Sequence, residues 1–293
     1  MAGGDKNDLY KYDPSLAAAV VFILGFLLSS LVHAFQIVKT KSWFFIPFLM
    51  GSIYSSQHLV EIIGYACRGI GAKETPDWSM GPFIIQSLLL LLGPTFYAAS
   101  IYMILGRLIT LLEAQEYSLV RPSWLTKFFL VGDIASILLQ GIGGGQLANA
   151  DTASQRSSGE NLIVGGLVVQ ILFFTLFMVV TCLFHMRIKK KPTSAIKRLD
   201  NTWYRLLLVL YAASFLILVR SLFRMIEYIQ GSESVLQTEE IFIYVLDATL
   251  MLMASVLLNI FHPSKCFSDK NSSGRESATQ LKDYNTEYQR VEA

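Results

Sequence analysis

The chain is 293 residues long, 53% hydrophobic and 16% charged, with a formal net charge of +2. A soluble domain of this length carries about a quarter charged residues. The apolar residues are clustered rather than scattered, so the composition excludes a soluble globular protein and points to a membrane-embedded one.

Seven stretches are long enough to cross a hydrocarbon core, which takes roughly 20 residues. Lipid offers the backbone no hydrogen-bond partner, so each is expected to be a helix. Residues 1–14 are polar, and the first span, 15–38, is too long for a signal-peptide core, so no cleaved leader is expected. The second span, 43–66, carries His58 and Glu61, with Arg68 just beyond it. The third, 80–105, holds Gly93-Pro94 at its middle, where proline removes a hydrogen bond and a kink is expected.

The fourth span, 124–147, carries Asp133 and Gln140 and ends in "LLQGIGGGQL". Glycines at that density mean either close helix contact or an unwound end lining a cavity. The fifth, 161–185, has Gln170 near its middle and is followed by "IKKKPTSAIKR", a topology anchor against anionic lipid. The sixth, 203–229, ends in "LILVRSLFRMIEYIQG", where Arg220, Arg224 and Glu227 at i, i+4 and i+7 share one helical face. The seventh, 240–261, contains Asp247. From about residue 264 the chain is polar and poor in large apolar residues, which predicts disorder. The organisation is therefore an N-terminal tail (1–14), a seven-helix domain (15–263) and a C-terminal tail (264–293).

Of the lysines and arginines, seventeen fall on one set of loops and the C-terminal tail, five on the other side, and Arg220 and Arg224 within the membrane. The positive-inside rule then places the N-terminus outside and the C-terminus in the cytosol. With Cys67 alone near the outer face, no disulfide between outer loops is expected. Cys266 is either a palmitoylation site or a plain cytosolic thiol, and the Asn271-Ser-Ser sequon lies on the silent side. Trp43, Trp78, Trp124 and Trp203 sit at helix ends, as an interfacial belt requires.

Counted along the helix rise, Glu61, Gln140, Arg220 and Asp247 lie roughly 9–10 Å below the outer boundary. Four polar groups at one level predict a single cavity, with Arg224 and Glu227 above it, Asp133 below and Gln170 near the bilayer centre. A charge facing lipid costs several kcal/mol, so these groups are expected to face inward and to be paired or wet. Glu227 is placed either to pair with Arg224 or to cap the mouth. The alternative is that buried ion pairs only fix helix order. Glu61, Glu227 and Asp247 against Arg220 and Arg224 leave one negative charge in excess, which suits an amine.

His33, His185 and His262 lie near the cytosolic boundary and His58 stands alone in the outer half. His33, His185 and His262 are expected to be interfacial side chains with their tips in the headgroups. No metal site, catalytic group or cofactor is expected, and the chain is not read as an enzyme. It has no G-x-x-x-x-G-K-[ST] loop for ATP, and its seventh span has no lysine for a retinal Schiff base.

"EIIGYACR" (61–68), "GDIASILLQGIGGG" (132–145), "GGLVVQ" (165–170), "RSLFRMIEYIQG" (220–231), "EEIFIYVLDATLM" (239–251) and the pair His262-Pro263 carry a resemblance. The chain resembles the fungal lipid-translocating exporters, seven-helix proteins of the aminocholesterol-resistance type, over all seven spans. The resemblance implies a plasma-membrane protein that exports or flips sphingoid long-chain bases and confers resistance to toxic amphiphiles. In one branch it implies porphyrin or haem handling. It makes Glu61, Arg68, Asp133, Gln140, Gln170, Arg220, Arg224, Glu227, Glu240 and Asp247 the candidate translocation residues, with membrane lipids as partners. The competing expectation is a seven-helix sensor or receptor acting on a cytosolic partner through the third inner loop or the tail.

Overall fold

The computed structural model describes residues 12–39, 48–74, 79–150, 152–198, 201–231 and 235–261. Trp43, Trp78, His262, Cys266 and the tail from residue 264 lie outside them. The described residues contain helices and no strand. The long helices are α1 (Leu16–Lys39), α2 (Phe48–Lys73), α3 (Met80–Leu111), α4 (Pro122–Ala148), α5 (Ala153–Lys190), α6 (Thr202–Gln230) and α7 (Glu240–Ile260).

Six of them, all but α2, are long and apolar enough to cross a membrane, so the protein is an integral multi-pass membrane protein. The second helix, described over Phe48–Lys73, runs past the expected end at 66 through Arg68 to Lys73. The fifth likewise starts eight residues before the expected 161 and ends five beyond 185. An apolar window stops where side chains become polar, but the hydrogen-bonded backbone continues into the headgroup layer.

Consecutive helices pack side by side from α1 to α7, the ring closes where α7 meets α1, and α3 also meets α6. The third helix is therefore central: 72% of its apolar window is buried, against 22% for α1. Its C-terminal half, with Leu105, Leu108 and Ile109, fills the main core, together with Tyr102, Phe129 and Phe177 from three helices. Outward-facing apolar side chains such as Val21, Leu28, Leu138, Leu172 and Phe215 stay exposed, as the lipid-facing side of a span requires. Trp124 is exposed as an interfacial residue should be, whereas Trp203 is buried in the core, contrary to its expected place in the belt.

Local chemistry marks the helix ends. Pro122 opens α4, the Thr152 hydroxyl accepts the Gln155 N–H at the start of α5, and α6 stops at Gly231 with φ 73°. The third helix continues without a break through Pro94. The seventh is interrupted: Glu240–Ile243 is α-helical, Tyr244–Ala248 is a π turn, and Thr249–Ile260 is α-helical again.

The fourth helix does not unwind at its glycine-rich end. Gly143 and Gly166 let α4 and α5 touch backbone to backbone: a Cβ at 143 would meet the Gly159 carbonyl at 2.7 Å, and one at 166 the Ser136 carbonyl at 2.8 Å. Close contact is thus what these two glycines provide.

Candidate functional site

Nine of the ten expected residues are buried and the tenth, Glu240, is partly buried, but they do not share one chamber. They fall into four groups.

The central group lies between α2, α3, α6 and α7. Arg220 donates from Nε to Asp247 Oδ1 at 2.5 Å and from Nη2 to the Leu90 carbonyl. Leu90 is four residues before Pro94, whose nitrogen has no hydrogen to give, so its carbonyl lacks the usual helical donor. Arg220 supplies the missing bond. Asp247 is aimed by the π turn, whose wide hydrogen bond runs from the Thr249 N–H to the Tyr244 carbonyl. One turn up α6, Arg224 pairs with Glu227 at 2.8 Å, the first of its two expected roles.

Glu61 enters the same group from α2. It interacts electrostatically with Asp247, Arg220 and Arg224, yet its Oε1 is buried without a hydrogen bond. Gly93 makes room for it, since a Cβ there would overlap Oε1. Asp247 Oδ2, Arg220 Nη1 and the Tyr65 hydroxyl are also buried without partners. The group is closed over: no side chain of its two ion pairs is more than 7% exposed.

A second group seals the end of the bundle where α1 begins. Arg68 Nη2 pairs with Glu240 at 2.8 Å and donates to the Tyr12 hydroxyl at 2.7 Å, while its Nε donates to Tyr244 at 3.0 Å. Glu240 in turn accepts the Ser15 N–H at 2.9 and 3.0 Å, capping α1 from α7. Burial pushes the Tyr12 phenol up, and the Arg68 guanidinium beside it partly offsets that. Phe22, Tyr65 and Tyr244 stack beneath this latch.

Gln140 corrects the expectation of a single level. Its Nε2 donates to Ser136 at 2.6 Å and to Gln170 at 3.1 Å, so Gln140 and Gln170 join α4 to α5 instead of facing Arg220. Asp133 forms the last group: it is fully buried on α4 and has the Tyr102 hydroxyl of α3 as its polar neighbour.

The histidines differ most from expectation. His33 is buried, not interfacial, and His58, expected to stand alone, is buried beside it with ring centroids 6.4 Å apart. His33 Nδ1 bonds Asn259 Oδ1 at 3.0 Å, and Asn259 Nδ2 reaches the Ser29 carbonyl at 3.0 Å and Ser29 Oγ at 2.6 Å. Ser29 Oγ bonds Ser255 Oγ, which lies 3.5 Å from His58 Nε2; His58 Nδ1 lies 3.5 Å from the Tyr97 hydroxyl. The line crosses α1, α7, α2 and α3. Small polar residues gave little sequence signal for it, although His58, Glu61, Tyr65 and Arg68 at helical spacing trace one stripe on α2. Among the described residues, no cluster of three His, Cys, Asp or Glu side chains forms a metal site.

No solved structure matches the chain. Protein RTA1 of Saccharomyces cerevisiae is 34% identical over 311 residues, covering 95% of this chain and 94% of that protein. Protoporphyrin uptake protein 1 of the same yeast is 32% identical, covering 86% of this chain and 91% of the relative. The sphingoid long-chain base transporter RSB1 of Saccharomyces cerevisiae is 25% identical, covering 93% and 78%. A family model described as RTA1 like protein matches residues 56–270, which takes in α3 to α7, most of α2 and each of the ten residues above. That match, with the near full-length likeness to Protein RTA1, shows that the chain belongs to the RTA1-like family of fungal membrane proteins.

Proposed function

We propose that this protein is a plasma-membrane exporter of amphipathic amines such as sphingoid long-chain bases, and not an enzyme. In this reading α2 is a seventh span, the N-terminus is outside, and the latch around Arg68 lies at the outer leaflet. The order of the helices and the seventeen-to-five distribution of basic residues support that orientation.

One observation carries the choice of substrate class. Among the described residues Arg220 pairs with Asp247, Arg224 with Glu227 and Arg68 with Glu240, which leaves Glu61 as the carboxylate of the central group without an ion pair. A buried carboxylate is stabilised by a cation or a proton. An ammonium suits Glu61 Oε1 and Asp247 Oδ2, while the neighbouring hydroxyls of a long-chain base suit Arg220 Nη1 and Tyr65. The alkyl chain stays in lipid or between helices. The name of the RSB1 relative supports a long-chain base as substrate. The protoporphyrin relative supports a second reading, in which Arg220 Nη1 and Arg224 Nε, both without partners, receive carboxylates.

The deciding experiment is flux of labelled phytosphingosine across liposomes that contain only this protein. Wild type is expected to move the base and Glu61→Gln to lose that flux at equal incorporation. Equal flux in both, or protoporphyrin movement without base movement, overturns the amine reading.

A further inference from the structure

The latch where α1 begins is built as a cage for a positive charge. Arg68 enters it with two nitrogens, Nε and Nη2, and three oxygens accept from them: Tyr244 at 3.0 Å, Tyr12 at 2.7 Å and Glu240 Oε1 at 2.8 Å. The rings of the same two tyrosines flank the guanidinium, whose carbon lies 5.4 Å from the centroid of Tyr12 and 5.1 Å from that of Tyr244. One carboxylate, two phenol oxygens and two ring faces suit cations in general. A primary ammonium carries three N–H donors and no acceptor, and the three oxygens supply one acceptor to each.

The walls of the cage are element ends. Tyr12 precedes α1, Glu240 is the first residue of α7 and Tyr244 the first of its π turn, so Arg68 alone comes from within a long regular helix. The Glu240 side chain is 18% exposed while that of Arg68 is wholly buried, which makes the carboxylate the accessible member of the pair. Aromatic rings join the cage to the central group. Tyr65 stands between Glu61 and Arg68 on the α2 stripe and interacts electrostatically with both, and with Asp247 and Arg220. It stacks on Phe22 at 5.7 Å and on Tyr244 at 6.2 Å, and Phe22 stacks on Tyr244 at 5.2 Å. Ring faces, which attract a cation, thus stand between the central group and the cage.

We propose that Tyr12, Tyr244 and Glu240 form a second binding site for the primary ammonium of the exported lipid, a site that Arg68 fills when no lipid is bound. The inference rests on the transport reading above and gives the amine a station between Glu61 and the outer surface. As the ammonium enters, the long side chain of Arg68, near the end of α2, extends into the headgroup layer. One positive charge replaces another, so Glu240 is never left buried beside no cation. A base whose nitrogen is acylated has no charge to exchange and leaves Arg68 in place. The arginine thereby sorts free amines from their neutral amides.

The test follows Arg68 in the full wild-type chain, reconstituted in phosphatidylcholine liposomes and treated with phenylglyoxal, which modifies accessible guanidinium groups. Peptide mass spectrometry reads the modified fraction at Arg68. That fraction is expected to be low in the protein alone, to rise severalfold with phytosphingosine and to stay low with N-acetylphytosphingosine. In Arg68→Ala, which vacates the cage, n-butylammonium is expected to raise the thermal midpoint in detergent where equal sodium does not. Adding Tyr12→Leu should raise the butylammonium concentration required by about tenfold, the worth of a partly desolvated cation–π contact. Labelling of Arg68 unchanged by phytosphingosine, or raised equally by the N-acetyl form, overturns the proposal. So does an Arg68→Ala midpoint that butylammonium raises no more than sodium, and if that variant does not fold the labelling decides alone. Labelling that responds in liposomes that move no phytosphingosine upholds the cage and defeats the transport reading instead.

Discussion

Pro94 and Arg220 complete one another across the bundle. The proline leaves the Leu90 carbonyl without its helical donor, and the guanidinium of Arg220 fills that vacancy while holding Asp247. A helix defect on α3 thereby fixes the position of a charge on α6. Pro94→Ala returns an N–H to Leu90 and sets it in competition with Arg220. The expected result is a higher thermal midpoint together with slower lipid flux. A lower midpoint would mean that the proline serves packing alone.

Removing one partner of the Arg220–Asp247 pair strands a buried charge, which costs about 3–5 kcal/mol, whereas replacing both with apolar residues is often neutral. Arg220→Leu alone should therefore aggregate or melt early. Arg220→Leu combined with Asp247→Leu should recover most of the midpoint but none of the flux. Thermal unfolding in detergent measures the first effect and liposome assays the second.

Gly93 touches the carboxylate of Glu61, so Gly93→Ala is expected to lower both stability and flux. Shortening the opposing side chain relieves the overlap. Gly93→Ala with Glu61→Ala should regain the wild-type melting temperature and stay inactive. Failure of the double variant to regain it would show that the contact is not what excludes a methyl group at 93.

Asp133 is fully buried with the Tyr102 hydroxyl as its polar neighbour, and a buried polar group so sparsely partnered costs about 1–3 kcal/mol or more. Asp133→Asn carries no charge to desolvate and offers Tyr102 a donor or an acceptor. Its thermal midpoint should rise. A fall would indicate that a proton or cation already satisfies the aspartate in the native protein.

The spans were legible because apolar length is a property of the chain itself, and the Arg220–Asp247 contact because a charge in lipid has few places to go. Depth could be counted from the sequence, but the direction in which a residue faces around the bundle could not. Gln140 sits at the counted level of Arg220, yet α4 turns it toward α5 because Gly143 and Gly166 bring those two helices together. The line through Ser29, Ser255 and Asn259 was hidden for a similar reason. Serine and asparagine are ordinary in membrane helices, and their partners lie more than 220 residues away. His33 gave the wrong impression because its position near a helix end implies headgroup contact, while its bond to Asn259 keeps it inside. The extra residue in α7 left no pattern that periodicity would register.

That extra residue has a mechanical meaning. A regular helix resists twisting one half against the other, since every rung would have to part together. The turn at Tyr244–Ala248 carries one residue of slack, and slack of this kind can travel along a helix by exchanging a single backbone bond at a time. The turn sits at the very residue that holds Arg220, while the rest of α7 is tied to Ser29 and to the cap of α1. The seventh helix thus places its loosest-wound turn beside the bundle's innermost charge pair.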